Sequence, residues 1–384
     1  MRRSADIRSP ALGTRELWYE VDEAHADLTT DRADPFVVAT LVHAMGEGLD
    51  LVVTGAPVDP GLLRNLVEFQ RIFKAWFELD IVDIHAEASA DTSPPAAATV
   101  AFSGGADSAF SAWWHTRGDG GNEPPLRTAM MLRGVDIPLT DPAGFARAAA
   151  RAQRMTDSLG MQHVVVATNA WTLPIPVDEY TGMGVCAGLH VLGGGHCAGL
   201  IPSTATYRDL VVPLNSSPVS DWLLSSSAFA VVHDGAQYNR LEKLRVLAEW
   251  PEAMDALRVC LVDPRRDGNC GECNKCMMTL TAFRVIGVEP ACFDRIPSAA
   301  EIRSWARTLP SVDYYLQEGT FLVDAATEQG IDEPWVGALR NRIRRAHLKQ
   351  GVRNAFPQFA DGVAAAHRRV NTVRRGLPIR SPRR

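Results

Sequence analysis

Apolar positions in the middle of this chain form short uninterrupted runs that alternate with longer stretches at helical spacing. Short apolar runs predict buried strands, and apolar residues that recur every three or four positions predict helices. The short runs are residues 100–102, 129–132, 163–167 and 210–213. The stretches at helical spacing are 107–114, 142–159 and 184–200, the last interrupted by three glycines. This order predicts an α/β fold, a parallel sheet with right-handed crossovers and helices on both faces.

The regions on either side of this core carry their own patterns. Two stretches at helical spacing and two short apolar runs precede it, at 35–47, 61–77, 49–54 and 79–84. A segment rich in Ala, Ser, Thr and Pro then indicates a linker at 86–99. Three further helices are predicted at 277–285, 299–308 and 333–349. We therefore divide the chain into an α+β extension (1–95), an α/β domain (96–295) and a helical, arginine-rich extension (296–384).

Composition is that of an ordinary globular protein, with 46% hydrophobic and 22% charged residues in 384. No run approaches the roughly 18 apolar residues of a membrane-spanning helix. Arg2 and Arg3 are not followed by an apolar segment, so we expect no signal peptide. The sequence thus predicts a cytoplasmic protein with no membrane partner, and it leaves a homo-oligomer open.

Charge is unevenly distributed along the chain. From residue 331 onward there are 13 Lys+Arg and 3 Asp+Glu, or +10; the whole chain has 39 and 45, so the first 330 residues carry 26 and 42, or −16. The basic face of the last predicted helix includes Arg342, Arg344 and Arg345. A nucleic-acid partner is left open. It is not favoured, because arginine outnumbers lysine 35 to 4 along the whole chain, so the arginines of the tail do not by themselves mark a binding site. A solvated helix explains the tail.

A glycine-rich segment, Ser-Gly-Gly-Ala-Asp-Ser at residues 103–108, follows the first core strand directly. Two glycines allow positive φ angles, so backbone N–H groups converge at the start of the next helix, where anions bind. Ser103 and Ser108 add hydroxyl donors, and Asp107 is expected to hold Mg²⁺ or to cap the helix. A plain glycine-rich β–α turn is the alternative. This segment, the glycine loop, lacks the Gly-Lys-Ser/Thr ending of a Walker A motif, which disfavours γ-phosphate chemistry.

Four of the seven cysteines lie within 17 residues, at Cys260, Cys270, Cys273 and Cys276. Two overlapping C-x-x-C turns place three thiolates around one point, and Cys260 can complete a tetrahedral zinc site. We call these four residues the cysteine cluster. An iron–sulfur cluster is the rival assignment, because C-x-x-C-x-x-C also serves such groups. We favour Zn²⁺ in a structural role, since four thiolates leave no open coordination position.

The glycine loop resembles the signature of the PP-loop (N-type ATP pyrophosphatase) superfamily. Its combination with the later cysteines is most similar to the queuosine-pathway nitrile synthases (7-cyano-7-deazaguanine synthases), over about residues 100–276. The resemblance implies an adenine nucleotide alpha hydrolase-like fold that binds ATP and Mg²⁺. It further implies a ligase or synthase that adenylates a carboxylate or amide oxygen of a small molecule, releases pyrophosphate, and directs ammonia or an amine to form an amide, nitrile or amidine.

The same resemblance assigns the residues of the site. The nucleotide would contact Ala101, Phe102, Ser103, Gly104, Gly105, Asp107, Ser108, Leu132 and Arg133. The residues assigned to catalysis are Asp107, Ser108, Arg240 and Lys243. Met131 and Ser203 are expected in the same cleft. Arg240 and Lys243 lie three residues apart on one helical face, where they would hold a carboxylate or phosphate of the bound intermediate. A capped surface helix is an equally favoured interpretation of this segment.

A PP-loop sulfurtransferase acting on tRNA or a small molecule is the alternative function. It would use Cys186 or Cys197 as persulfide carrier, although both lie in an apolar stretch where cysteine usually packs in a core. A non-catalytic nucleotide sensor is disfavoured by the intact Ser103, Asp107 and Ser108.

Overall fold

The computed structural model describes residues 1–90, 95–121, 124–175, 181–209, 216–260, 262–263 and 266–355. It contains two compact units, Met1–Ile296 and Pro297–Arg384. The segment 1–95 belongs to the first unit together with the α/β core. The strand predicted at 210–213 lies outside the described residues.

The first unit is built on a mixed, mostly parallel sheet. Within the described residues the strands β1 to β9 are Arg2–Ser9, Gly13–Val21, Leu51–Val52, Ile84–His85, Ala98–Ala101, Leu126–Arg133, Gln162–Thr168, Ala198–Pro202 and Ala230–Asp234. Seven of them form one sheet in the order β1-β2-β7-β6-β5-β8-β9, and β3 pairs with β4 separately. The five strands from β7 to β9 are parallel, while β1 and β2 add an antiparallel edge. The predicted α/β class is confirmed, and the antiparallel edge is an addition to it.

Helices flank the sheet on both faces. Within the described residues the α-helices α1 to α11 are Asp34–Glu47, Pro60–Phe77, Ala106–Arg117, Pro142–Ser158, Thr181–Val191, Arg240–Leu247, Pro251–Ala256, Asn274–Ile286, Ala299–Thr308, Asp313–Glu328 and Pro334–Ala355. The chain moves across the sheet in one direction from β5 through β6 to β7, and it moves back through α5 to β8. Right-handed crossovers therefore place α3 and α4 on one face of the sheet and α5 on the other. There α5 packs against α1. None of the helices in the described ranges is long and apolar enough to cross a membrane.

The amino-terminal segment is part of the sheet as well as of the helical layer. The two helices predicted there are confirmed as α1 and α2, the second capped by Asp59, whose carboxylate accepts from the amides of Gly61 and Leu62. Strands β1 and β2 were not predicted. The β1 sequence is largely polar and at least half exposed, so it has no apolar run; only Leu17, Tyr19 and Val21 of β2 are buried.

One predicted helix, at 184–200, is wrong in its second half. Helix α5 ends at Val191, and β8 begins at Ala198. The intervening glycines permit a close approach of backbone: a Cβ on Gly194 would lie 2.3 Å from the carbonyl oxygen of Thr29. The helix therefore stops, and the apolar residues that follow form a central strand of the sheet.

Strand order brings two chain segments together. From β5 the chain moves to β6 and β7 on one side, then crosses back to β8 on the other. In open α/β sheets, ligands bind at the carboxyl ends of the strands where the order reverses in this way. The glycine loop follows β5 and Ser203 follows β8, so both lie at this switch point.

The second unit, by itself, is helical in its described part. Helix α11 packs against α9 and α10. Ser298 and Glu301 form a reciprocal capping box at the start of α9, which fixes the predicted start of that helix. The helix predicted at 333–349 is confirmed and extends to Ala355, while α10 was not predicted.

Candidate active site

The glycine loop forms a braced turn between β5 and α3. Gly104 has a φ of +75°, a conformation that glycine adopts without steric cost. Gly105 is extended and precedes the first helical residue. The Ser108 hydroxyl donates to the Gly105 carbonyl (3.1 Å) and accepts from the Ser103 amide (3.2 Å). The turn is therefore held in shape by its own serine before any ligand binds.

Asp107, in the first turn of α3, is paired with two cations. Its Oδ2 lies 3.0 Å from Nη2 of Arg240, and its Oδ1 lies 3.4 Å from Nζ of Lys243. Burial alone would raise the pKa of Asp107, but Arg240, Lys243 and Lys275 outweigh it and hold that pKa below its ordinary value. The carboxylate is thus ionised and joins α3 to α6, rather than capping its own helix.

The helix that carries these two cations begins beside the loop. Asn239 and Glu242 form a reciprocal capping box at its start. Arg240 and Lys243 nevertheless face inward, with exposures of 5% and 1%. The Lys243 ammonium donates to the carbonyl (2.6 Å) and hydroxyl (3.0 Å) oxygens of Ser203. The helix is capped, as the alternative supposed, but these two side chains are not on its surface; they tie β8 to the glycine loop.

The cysteine cluster is assembled. Its four Sγ atoms lie within 4.8 Å of one another. The Cys260–Cys273 and Cys270–Cys276 sulfur pairs are separated by 3.8 and 3.9 Å. A tetrahedral ion with bonds of about 2.3 Å would separate its sulfur ligands by roughly 3.8 Å. The residues therefore fit a single metal ion; the four cysteines of a [4Fe–4S] cluster, each bound to a different iron, would lie farther apart.

Local hydrogen bonds prepare these sulfurs for a cation. Gly271 has a φ of +73°, which allows the tight turn between Cys270 and Cys273. The Cys273 amide donates to Cys270 Sγ (3.3 Å), and the Cys276 amide donates to Cys273 Sγ (3.5 Å). Hydrogen bonding, first from Cys276, lowers the pKa of Cys273 to about 5. In this knuckle, residues 270–276 at the start of α8, the thiolate form is thus favoured at Cys273, whereas burial raises the pKa of Cys270 and the hydrogen bond with Cys273 raises that of Cys276.

A buried asparagine links the cysteine cluster to the glycine loop. Asn269 accepts from the Cys260 amide (3.3 Å) and donates to the Leu257 carbonyl (2.8 Å). Between these residues, the Arg258 amide donates to the carbonyl of Gly104 (2.9 Å). The segment that supplies the first cysteine is thus also the segment that supports the turn of the loop.

Two cations beside the loop were missed in the sequence. The guanidinium of Arg258 pairs with Asp136 at 2.5 Å. Lys275 is the second residue of α8; burial, then Arg240, lowers its pKa, while Asp107 and Asp136 oppose that shift. Its Nζ donates no hydrogen bond to another residue in the described part of the chain. The sequence offered one signal for them: Arg258 lies two residues before the first cysteine of the cluster, and Lys275 directly precedes the last.

Several cations surround the glycine loop, namely Arg240, Lys243, Arg258 and Lys275. Carboxylates and one thiolate partly offset them: Asp107, Asp136, Asp234 and Cys273. Converging N–H groups at the start of α3 add to the positive potential of the cations. Cations and helix N–H groups that converge in this way attract an anion.

The other residues assigned to the nucleotide site lie at strand ends. Phe102 is buried, so only its backbone can face a ligand. Leu132 packs toward Gly188 of α5, and the Arg133 guanidinium lies 5.7 Å from the Phe145 ring on α4. Leu132 and Arg133 therefore point to opposite faces of the sheet, and the structure does not bring their side chains together.

The two candidate persulfide cysteines are poorly placed for that role. Cys186 is buried in α5, and burial raises the pKa of its thiol. Cys197 donates its thiol to the Ala97 carbonyl (3.4 Å), at the amino-terminal ends of β8 and β5. The glycine loop lies at the opposite ends of these strands, so the Cys197 thiol does not face it.

A histidine–carboxylate pair joins α3 to β9. His115 Nε2 donates to Asp234 Oδ1 at 2.8 Å. Burial would lower the pKa of His115, but the hydrogen bond and charge of Asp234 raise it above its ordinary value. The pair fixes β9 beside the helix that begins with the glycine loop.

No family model, curated protein or solved structure matches this chain.

Proposed function

We propose that this protein is an ATP-dependent ligase or synthase of the PP-loop type. It would activate a carboxylate or amide oxygen of a small molecule by transfer of AMP, release pyrophosphate, and form a carbon–nitrogen bond with ammonia or an amine. The observation that carries the proposal is the braced glycine loop at the switch point of a parallel sheet, with four cationic side chains around it.

The chain's residues would divide the work as follows. Loop amides and the start of α3 would hold the β- and γ-phosphates, which leave as pyrophosphate. Arg240, Lys243 and Lys275 would offset the charge that develops as the bond to the α-phosphorus breaks. Asp107, kept ionised by Arg240 and Lys243, would be the carboxylate that holds Mg²⁺ when the nucleotide is bound. Most of the acceleration would come from positioning and charge stabilisation.

The cysteine cluster would hold Zn²⁺ as a structural ion. Its sulfur spacing fits one tetrahedral ion, and four thiolates leave no position for a substrate. Its contribution would be indirect: through Asn269 and Arg258 it holds the segment that supports Gly104, and it sets the start of the helix that carries Lys275.

The direct test is product analysis. The full chain is incubated with ATP, Mg²⁺, ammonium and a panel of carboxylates and amides, and its metal content is measured by elemental analysis. We expect AMP and pyrophosphate in equal amounts and about one zinc per chain. Formation of ADP and phosphate would contradict the adenylation proposal, and iron with labile sulfide would contradict the zinc assignment.

Lys275→Met separates a role in phosphate binding from one in folding. We expect a lower rate of pyrophosphate release with zinc content unchanged, because the side chain makes no hydrogen bond within the described structure. Lys74→Met, on the exposed face of α2, is the matched control and should behave as wild type. Equal rates for both variants would remove Lys275 from the site.

A further inference from the structure

The second unit contains a cavity that the proposed function does not use. Its volume is about 440 Å³. It is lined by Arg307, Ser311, Arg342, Arg345, Leu348 and Lys349. Four cations therefore share one concave wall, and no carboxylate of the described residues lines it. The cavity is open to solvent, because five of its six lining residues are exposed and only Arg342 is half-buried.

Helix geometry explains why these cations converge. Residues three and four apart share one face of a helix, so Arg342, Arg345 and Lys349 of α11 project together. Arg307, at the end of α9, reaches the same cavity. The Arg342 guanidinium donates to the Ser311 hydroxyl at 2.8 Å, which fixes its direction.

The cations of this cavity have no direct carboxylate partners among the described residues. None of its four cations forms an ion pair with another residue of the described ranges. Helix α11 contains six Lys+Arg and no Asp or Glu in 22 residues. Like charges at helical spacing repel, and each such pair destabilises the helix. A bound anion would relieve this repulsion.

We propose that this cavity binds a compact polyphosphate chain, inorganic or carried by a nucleoside. Guanidinium groups present paired N–H donors that match phosphate oxygens, and three arginines converge here. The concave shape favours a compact polyanion, since a nucleic-acid backbone would need an extended track. Arg344, about 200° around α11 from Arg342, lies outside the cavity. Leu348, 63% exposed on the rim, is an apolar surface on which a nucleoside could rest.

The test is titration calorimetry of the full chain with inorganic tripolyphosphate. The double variant Arg342→Gln/Arg345→Gln should lose one equivalent of bound tripolyphosphate, or bind it at least about tenfold more weakly. Arg344→Gln is the matched control, with the same charge change on the same helix, and should retain that equivalent. Lys243→Met, at the glycine loop, should leave it unchanged, which separates this cavity from the proposed active site.

Three results would overturn the assignment. Equal weakening in Arg344→Gln and in the double variant would mean diffuse attraction to a cationic helix. Undiminished stoichiometry and affinity in the double variant would mean that the cavity is not used. A single-stranded RNA oligomer that displaces tripolyphosphate and binds more tightly would assign the surface to nucleic acid. An α,β-methylene ATP that binds more tightly than tripolyphosphate supports the proposal and assigns the chain to a nucleotide; the reverse order supports it and assigns inorganic polyphosphate.

Discussion

Lys243→Met removes the charge at the centre of the candidate active site while keeping most of the side-chain volume. The buried ammonium lies 2.6 Å from the Ser203 carbonyl oxygen, 3.0 Å from its hydroxyl and 3.4 Å from Asp107. A methionine beside the Phe110 ring leaves little cavity, so the loss is mainly electrostatic. The contacts with Ser203 and Asp107 therefore determine the expected effect.

The magnitude follows from which partners are left behind. Breaking a buried ion pair by removing one partner costs about 3–5 kcal/mol. Asp107 keeps its bond to Arg240 at 3.0 Å, so we expect less, about 2–4 kcal/mol, mostly from the unpaired Ser203 carbonyl and the weakened pairing of Asp107. At roughly 2–4 °C per kcal/mol for a domain of this size, the melting temperature should fall by on the order of 5–10 °C.

Thermal unfolding of the full chain, followed by circular dichroism, measures this loss. Lys74→Met removes an exposed lysine and should stay within about 0.5 kcal/mol of wild type. A double-mutant cycle with Asp107→Asn should give a coupling of about 0.5–3 kcal/mol. If Lys243→Met is as stable as Lys74→Met and shows no coupling, the buried network described here does not exist.

Three other predictions concern the loop, the metal and pH. Gly104→Ala and Gly13→Ala each place a side chain at positive φ and should each cost about 1–2 kcal/mol, but only the first should weaken ATP binding, measured by calorimetry. Chelation of the proposed zinc ion, or Cys260→Ser, should lower both the melting temperature and ATP affinity; unchanged affinity would separate the cysteine cluster from the loop. The raised pKa of His115 means that its pair with Asp234 stabilises the fold fully below about pH 6.5. That contribution is lost as pH rises through the folded-state pKa, so His115→Gln should lower the melting temperature more at pH 5.5 than at pH 8.5, and the opposite order would be inconsistent with the pair.

The features that could be predicted from the sequence are local ones. A strand, two glycines and a helix start are contiguous in the chain, so the glycine loop needed no tertiary information. The spacing of Cys270, Cys273 and Cys276 likewise determines a knuckle within seven residues. Helices with one apolar face, such as α2 and α4, can be predicted from the spacing of their apolar residues, because one side of the helix is buried whichever element it packs against.

Other features depend on contacts that no short window contains. Strand β8 has the composition of the helix before it, and close packing of Gly194 and Gly195 against residues 28–29 decides where the helix stops. Strand β1 lies at the edge of the sheet, and its half-exposed residues need not be apolar. Strand β2 likewise carries charged residues at its exposed positions.

The candidate site shows the same division between local and distant information. From the sequence alone come the glycine turn, the cysteine cluster and the placement of Arg240 and Lys243 on one helical face. Only the tertiary structure decides that these two side chains are buried against Asp107 and Ser203, and that Arg258 and Lys275 join them. Charges compensate one another through space over a few ångströms, and groups more than a hundred residues apart in sequence reach that distance only after the sheet has brought its strand ends together.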